Sequence, residues 1–271
     1  MTLQTHTSGG IEYLERPGQG DGPVLVLLHG IGSNATSFAA FLDHVAPDFR
    51  VIVWNAPGYG GSQPLAGDWP RAADYAEALK GLLDRLGLDR VLLAGHSLGT
   101  LIAAAFAAGH PERVAHLLLA SPALGHGVTP GSALSAAAQK RLDDLAALGP
   151  EKFAEARATR LVFEPEANPD LVARVREAMS RVSSPGYDMA VRMLASGRLL
   201  DDAARLAVPT DVIVGSEDVV TPPEAARKTH AALPQSVRGA LTQVPAAGHA
   251  LYQQAPEAFA AALASMTLPA S

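Results

Sequence analysis

Five short runs of apolar residues punctuate the chain, and each ends on a small or turn-forming residue. Val24–Leu28 ends at His29-Gly30, Val51–Trp54 at Asn55-Ala56-Pro57-Gly58, and Val91–Ala94 at Gly95. Val114–Ala120 ends at Ser121-Pro122, and Val212–Val214 at Gly215. Runs of this length, rich in β-formers and lacking polar alternation, predict strands buried on both faces. Between them, segments such as Ala72–Leu86 place apolar residues at helical spacing and predict helices. Strands alternating with helices predict an α/β protein with a parallel sheet covered on both faces. Ahead of the first buried run, Thr2–Thr7 and Ile11–Arg16 flank Ser8-Gly9-Gly10 and predict an opening hairpin.

The alternation stops between residues 123 and 200. That stretch reads as about four amphipathic helical segments with Gly/Pro punctuation and no strand. It holds ten Lys and Arg against nine carboxylates, so the acidity resides in the remainder. A helical insertion between two sheet strands predicts a cap, residues 123–200, over a core of residues 1–122 and 201–271.

Length and composition sharpen this picture. With 271 residues, 48% hydrophobic and 18% charged, the chain suits one large domain with an insertion and excludes disorder. A formal net charge of -6 offers no basic surface for nucleic acid or anionic lipid. The absence of cysteine excludes disulfides, a thiol nucleophile, zinc ribbons and iron–sulfur clusters. The apolar stretches fall short of the roughly 20 residues of a membrane helix. Met1–Gly22 is polar and unlike a secretory signal. A soluble, cytoplasmic protein is expected, without nucleic-acid or membrane partners, and with its oligomeric state left open. No histidine spacing supports a metal site, and no glycine-rich fingerprint calls for a nucleotide cofactor.

The strongest chemical signal is Gly95-His96-Ser97-Leu98-Gly99, directly after a predicted strand and before a predicted helix. A serine hydroxyl is a poor nucleophile unless a sharp turn presents it to a base, and flanking glycines make room for such a turn. The N–H groups of the following helix favour developing negative charge. Ser97 is therefore the candidate nucleophile. It needs a histidine as base and a carboxylate to orient that histidine. Asp218 lies in a loop just beyond a predicted strand, with Glu217 as its adjacent rival. His249 follows in the glycine-bearing loop before a closing helix, whereas His230 falls in the helical stretch Pro223–Leu233.

These motifs resemble the α/β-hydrolase superfamily, and the resemblance runs from His29-Gly30 to Gly248-His249. It implies a mostly parallel eight-stranded sheet flanked by helices, with the inserted helical cap. It maps the family's Gly-x-x-Asp-x-x-x-Pro pattern onto Asp218. It also implies an oxyanion hole made by the backbone N–H groups of Ile31 and Leu98, with Gly32 shaping the adjoining pocket. Two residues depart from the pattern: Asn55, where the family usually has Asp, and Thr100, where many members carry a second glycine.

Within the superfamily a serine nucleophile argues against the haloalkane dehalogenase and epoxide hydrolase branches. The resemblance is to esterases, 3-oxoadipate enol-lactonases and meta-cleavage C–C hydrolases. C–C hydrolases often place Trp after the catalytic His, where this chain has Ala250. The expected activity is hydrolysis of a small-molecule ester or lactone, without a cofactor. A meta-cleavage-type C–C hydrolase and a non-hydrolytic receptor of the same fold are the alternatives. His126, Phe163, Tyr187 and Arg192 are the expected pocket residues of the cap, Arg192 as the partner of a substrate carboxylate.

Overall fold

The computed structural model describes residues 3–20 and 22–266; Thr2, the expected start of the hairpin, lies outside them. Eight strands form one sheet: β1 (Gln4–Ser8), β2 (Ile11–Arg16), β3 (Val24–Leu28), β4 (Arg50–Trp54), β5 (Val91–His96), β6 (Val114–Ala120), β7 (Thr210–Gly215) and β8 (Arg238–Val244). Their spatial order is β1-β2-β4-β3-β5-β6-β7-β8. The β1–β2 and β2–β4 pairs are antiparallel, and the other neighbouring pairs are parallel. The helices are α1 (Ala72–Arg85), α2 (Leu98–Gly109), α3 (Ala136–Glu155), α4 (Pro169–Met179), α5 (Gly186–Ser196), α6 (Leu199–Ala203), α7 (Pro223–Ala232), α8 (Leu251–Gln254) and α9 (Pro256–Ala264).

The unbroken apolar runs are explained by burial on both sides. Val26, Ile52, Leu93 and Leu119 pack in one core with Leu79 of α1 and Ile102 and Phe106 of α2. Their neighbours Leu25, Val53, Leu92 and Leu118 point to the opposite face and pack with Phe38, Phe41 and Phe259. Successive side chains thus enter different cores, and neither can be polar.

One crossover departs from strict alternation. Between β3 and β4 the chain makes two 3-10 turns, Ala35–Phe38 and Phe41–His44, in place of an α-helix. Such irregular backbone leaves carbonyls in need of donors. Arg16, 5% exposed, supplies them: its guanidinium donates to the carbonyls of Leu42, Val45, Ala46 and Phe49 at 2.7, 2.9, 2.6 and 3.1 Å.

All of α3 to α6 lie between β6 and β7, and no strand occurs there among the described residues. Helix α3 is kinked at Gly149 (φ 73), ahead of Pro150. No helix among the described residues is long and apolar enough to cross a membrane.

Replacing Arg16 by Met removes the guanidinium donor from four carbonyls, those of Leu42 and Val45 buried and those of Ala46 and Phe49 part-buried, while keeping the aliphatic stem. A loss of roughly 2–4 kcal/mol in denaturant unfolding is expected. A change below about 0.5 kcal/mol would mean that the crossover holds without this clamp.

Candidate active site

The parallel strands bring their carboxyl ends to one edge of the sheet, and four loops meet there. The loop after β3 carries Ile31, the turn after β5 carries Ser97, and the loops after β7 and β8 carry Asp218 and His249.

Ser97 joins β5 to α2 with φ 53 and ψ -117, a conformation that costs a side-chain-bearing residue about 1–3 kcal/mol. Hydrogen bonds hold it there. The Ser97 N–H donates to Ala120 O at 2.9 Å, and Ser97 O accepts from Thr100 N at 3.0 Å and Thr100 Oγ1 at 2.6 Å. Thr100 Oγ1 also accepts from Ala123 N at 3.2 Å, which ties the turn to the start of the insertion. A Cβ on Gly95 would strike the Gly99 carbonyl, and one on Gly99 would come within 2.5 Å of Leu28 O. The turn therefore closes only because both positions lack a side chain.

The N–H groups of Ile31 and Leu98 have no acceptor among the described residues. The Leu98 side chain points into the core, so only its backbone is available. Tyr59 Oη donates to Ile31 O at 2.9 Å and fixes that loop. His29 is structural. Ala56 N–H donates to its Nε2 at 3.0 Å, so the ring proton sits on Nδ1 and is given to Gly30 O at 2.8 Å. Asn55 explains its own presence: Oδ1 accepts from Ala35 N at 2.8 Å while Nδ2 donates to Glu12 Oε1 at 2.6 Å. An aspartate there would set two carboxylates against each other.

On the other flank His249 Nδ1 lies 2.8 Å from Asp218 Oδ2, with exposures of 5% and 0% for the two side chains. Asp218 Oδ1 accepts from the N–H groups of Val220 and Thr221 at 2.9 and 2.8 Å. Thr221 Oγ1 stands 2.9 Å from Asp218 Oδ2 and 3.1 Å from His249 Nδ1. Burial by itself raises the Asp218 pKa. The His249 ring and the two backbone donors outweigh it and hold the carboxyl at about 2. Glu217, the rival acid, is exposed and bonded to Ser216. His96 supports the histidine from below: its Nε2 donates to the His249 carbonyl at 2.8 Å, and its ring packs on both His249 and Tyr252.

Ser97 and His249 open into one cavity of about 460 Å³, whose wall also includes Ile31, Gly32, His126 and Tyr187. Asp218 lies behind His249 and off that wall. Two expected pocket residues are corrected. Phe163 is off the wall because its backbone is a strap: its N–H donates to Gln254 Oε1 at 3.0 Å and its carbonyl accepts from Gln254 Nε2 at 2.8 Å. Arg192 is also off the wall, because Tyr187 and Leu194 define the inner face of α5 and position 192 is turned well away from it. The arginines on the wall are Arg141, Arg157 and Arg160 instead. Neither these nor Thr221 stood out in the sequence. The Asp-x-x-Thr spacing that returns the Thr221 N–H to Asp218 was the one available signal. No group of His, Cys, Asp and Glu able to hold a metal occurs among the described residues.

A family model described as alpha/beta hydrolase fold matches residues 23–256. A thermophilic esterase from Thermogutta terrifontis, solved with malate bound, superposes with a TM-score of 0.78 at 27% identity, covering 97% of each chain. An enol-lactonase from Burkholderia xenovorans LB400 superposes with a TM-score of 0.82 at 23% identity over 97% of this chain and 99% of that one, a likeness of fold alone. A 2-hydroxy-6-oxononadienedioate/2-hydroxy-6-oxononatrienedioate hydrolase from Dechloromonas aromatica is 41% identical over 99 residues. That match spans 35% of this chain and 34% of the relative.

The buried histidines set the acid stability. Burial pushes His29 down to about 4; burial and then the neighbouring His249 push His96 down to about 3. Below pH ~6.5 the unfolded chain protonates both rings and the folded one does not, so stability falls by about 1.4 kcal/mol per pH unit for each. Asp218 adds nothing in that window, since its stabilisation is lost only between its unfolded value, about 3.8, and about 2. Unfolding free energies between pH 6 and 4.5 should therefore decline, and His96→Gln should remove about one proton from the slope. An unchanged slope would contradict the neutral, buried His96.

Proposed function

The chain belongs to the alpha/beta hydrolase fold family, and on that premise we propose that it is a serine hydrolase of small carboxylic esters or lactones. The observation that carries this reading is the buried 2.8 Å Asp218–His249 pair, whose histidine lines the cavity into which the strained Ser97 opens.

In this reading Ser97 Oγ attacks the substrate carbonyl carbon while His249 Nε2 takes the hydroxyl proton. Asp218 keeps the other ring proton on Nδ1 and stabilises the imidazolium. The carbonyl oxygen becomes an oxyanion and accepts from the N–H groups of Ile31 and Leu98, which are fixed before charge develops. His249 returns the proton to the leaving alkoxide, and an acyl-enzyme on Ser97 remains. A water then gives its proton to His249 and attacks the ester, releasing the acid and restoring the Ser97 hydroxyl. Residues 123–200 act as a cap over the core, and a cavity of about 460 Å³ suits a small molecule.

The 41% identity to a C–C hydrolase over 99 residues favours cleavage of a vinylogous diketone as the second reading. Ala250 beside His249 gives that reading no support from the residues that act.

On p-nitrophenyl butyrate, Ser97→Ala and Asp218→Asn should each lower kcat/KM by about 10³–10⁴-fold or more, with folding intact by circular dichroism. Turnover that survives Ser97→Ala would sink the nucleophile assignment. A wild type inert toward esters and lactones but active on a vinylogous diketone would select the second reading. Inertness toward all three classes would leave a receptor of the same fold.

A further inference from the structure

The described residues lining the cavity include three arginines and neither aspartate nor glutamate. The three guanidinium groups differ in what they meet. Arg157 is partly neutralised, with Nη2 2.8 Å from Asp144 Oδ2 and its guanidinium carbon 4.6 Å from the centre of the Phe153 ring. Arg160 is exposed and lies where solvent screens it. Arg141, on α3, is half-buried, and among the described residues it has no carboxylate partner. Its neighbour is the phenol of Tyr187, a residue only 1% exposed, which can give a hydrogen bond to a ligand but cannot neutralise a cation.

A half-buried cation without a counter-ion is costly unless something supplies the opposite charge. The reacting end of the cavity carries the Ser97 hydroxyl and the His249 ring. Leu161, Val175, Met179 and Leu194 furnish apolar wall.

We infer that Arg141, assisted by Arg157, is a binding site for an anionic group of the substrate, so that the preferred ester or lactone carries a carboxylate separated from its reacting carbonyl by an apolar link. This rests on the serine-hydrolase reading for which carbonyl reacts, but the binding of the anion does not depend on turnover. A guanidinium in a partly desolvated wall favours an anion over a neutral group by about tenfold to a hundredfold, the range of a charge-assisted hydrogen bond. Arg192, off the wall, has no part in it.

The test uses Ser97→Ala, which removes turnover, and titration calorimetry with the monomethyl and the dimethyl esters of linear dicarboxylic acids of four to eight carbons. At the best-fitting length the monomethyl ester, which carries one carboxylate, should bind at least about tenfold tighter than its neutral dimethyl ester. Adding Arg141→Met should bring the ratio close to one, and Arg141→Lys should keep part of it. Arg192→Met should keep it whole. Equal binding of the charged and neutral esters overturns the inference, as does a ratio that survives Arg141→Met. Absence of measurable binding by every monomethyl ester overturns it too. Because binding is read without catalysis, failure of the serine mechanism and failure of the anion site give separate results.

Discussion

A serine held at φ 53 between a strand and a helix is the constraint on which the rest of the site depends. That backbone is tolerable only because it is pinned at both ends and because Gly95 and Gly99 let β5, α2 and the β3 loop approach without side chains between them. The same turn performs two tasks. It lifts the hydroxyl above the sheet, and it starts a helix whose first N–H has no internal partner. Strain and an unpaired donor are both unfavourable in an ordinary turn. Here they coincide at the point where four strand ends converge.

The surrounding contacts hold separate loops in fixed relation to that turn. Ala250 N donates to Leu161 O at 2.8 Å, and Gln254 joins Gly248 N to the backbone of Phe163. Asn34 Nδ2 donates to Ala178 O at 2.9 Å, and Met179 packs 3.0 Å from where a Gly32 Cβ would stand. The insertion is thus bonded to the loops carrying His249 and Ile31. The two sides of the cavity are also chemically unlike. The core supplies buried histidines, hydroxyls and backbone donors, whereas the insertion supplies apolar wall and guanidinium groups.

Much of this was legible in the sequence for a physical reason. A strand buried on both faces cannot carry polar residues, so β3 to β7 stood out as apolar runs. A residue that must sit in a strained turn needs glycines at fixed spacing, so Ser97 stood out too. Asp218 and His249 were legible because each follows a strand, and the structure brings them within 2.8 Å. The β3–β4 crossover was not legible, since its 3-10 turns depend on a clamp from Arg16, distant in sequence. Nor were the pocket arginines. Which arginine of the insertion meets the cavity, Arg141 or Arg192, is decided by how α3 and α5 are rotated in the packed structure, with Tyr187 and Leu194 of α5 on the wall.

In the proposed mechanism Ser97 differs chemically from the other serines of the chain, because the strained turn presents it and His249 takes its proton. Reaction with a fluorophosphonate, followed by peptide mass spectrometry, tests this without knowledge of the substrate. One adduct per chain is expected, on Ser97, formed at least about 10³-fold more slowly in His249→Ala. A folded protein that labels elsewhere, or that labels Ser97 equally fast without His249, would contradict the account.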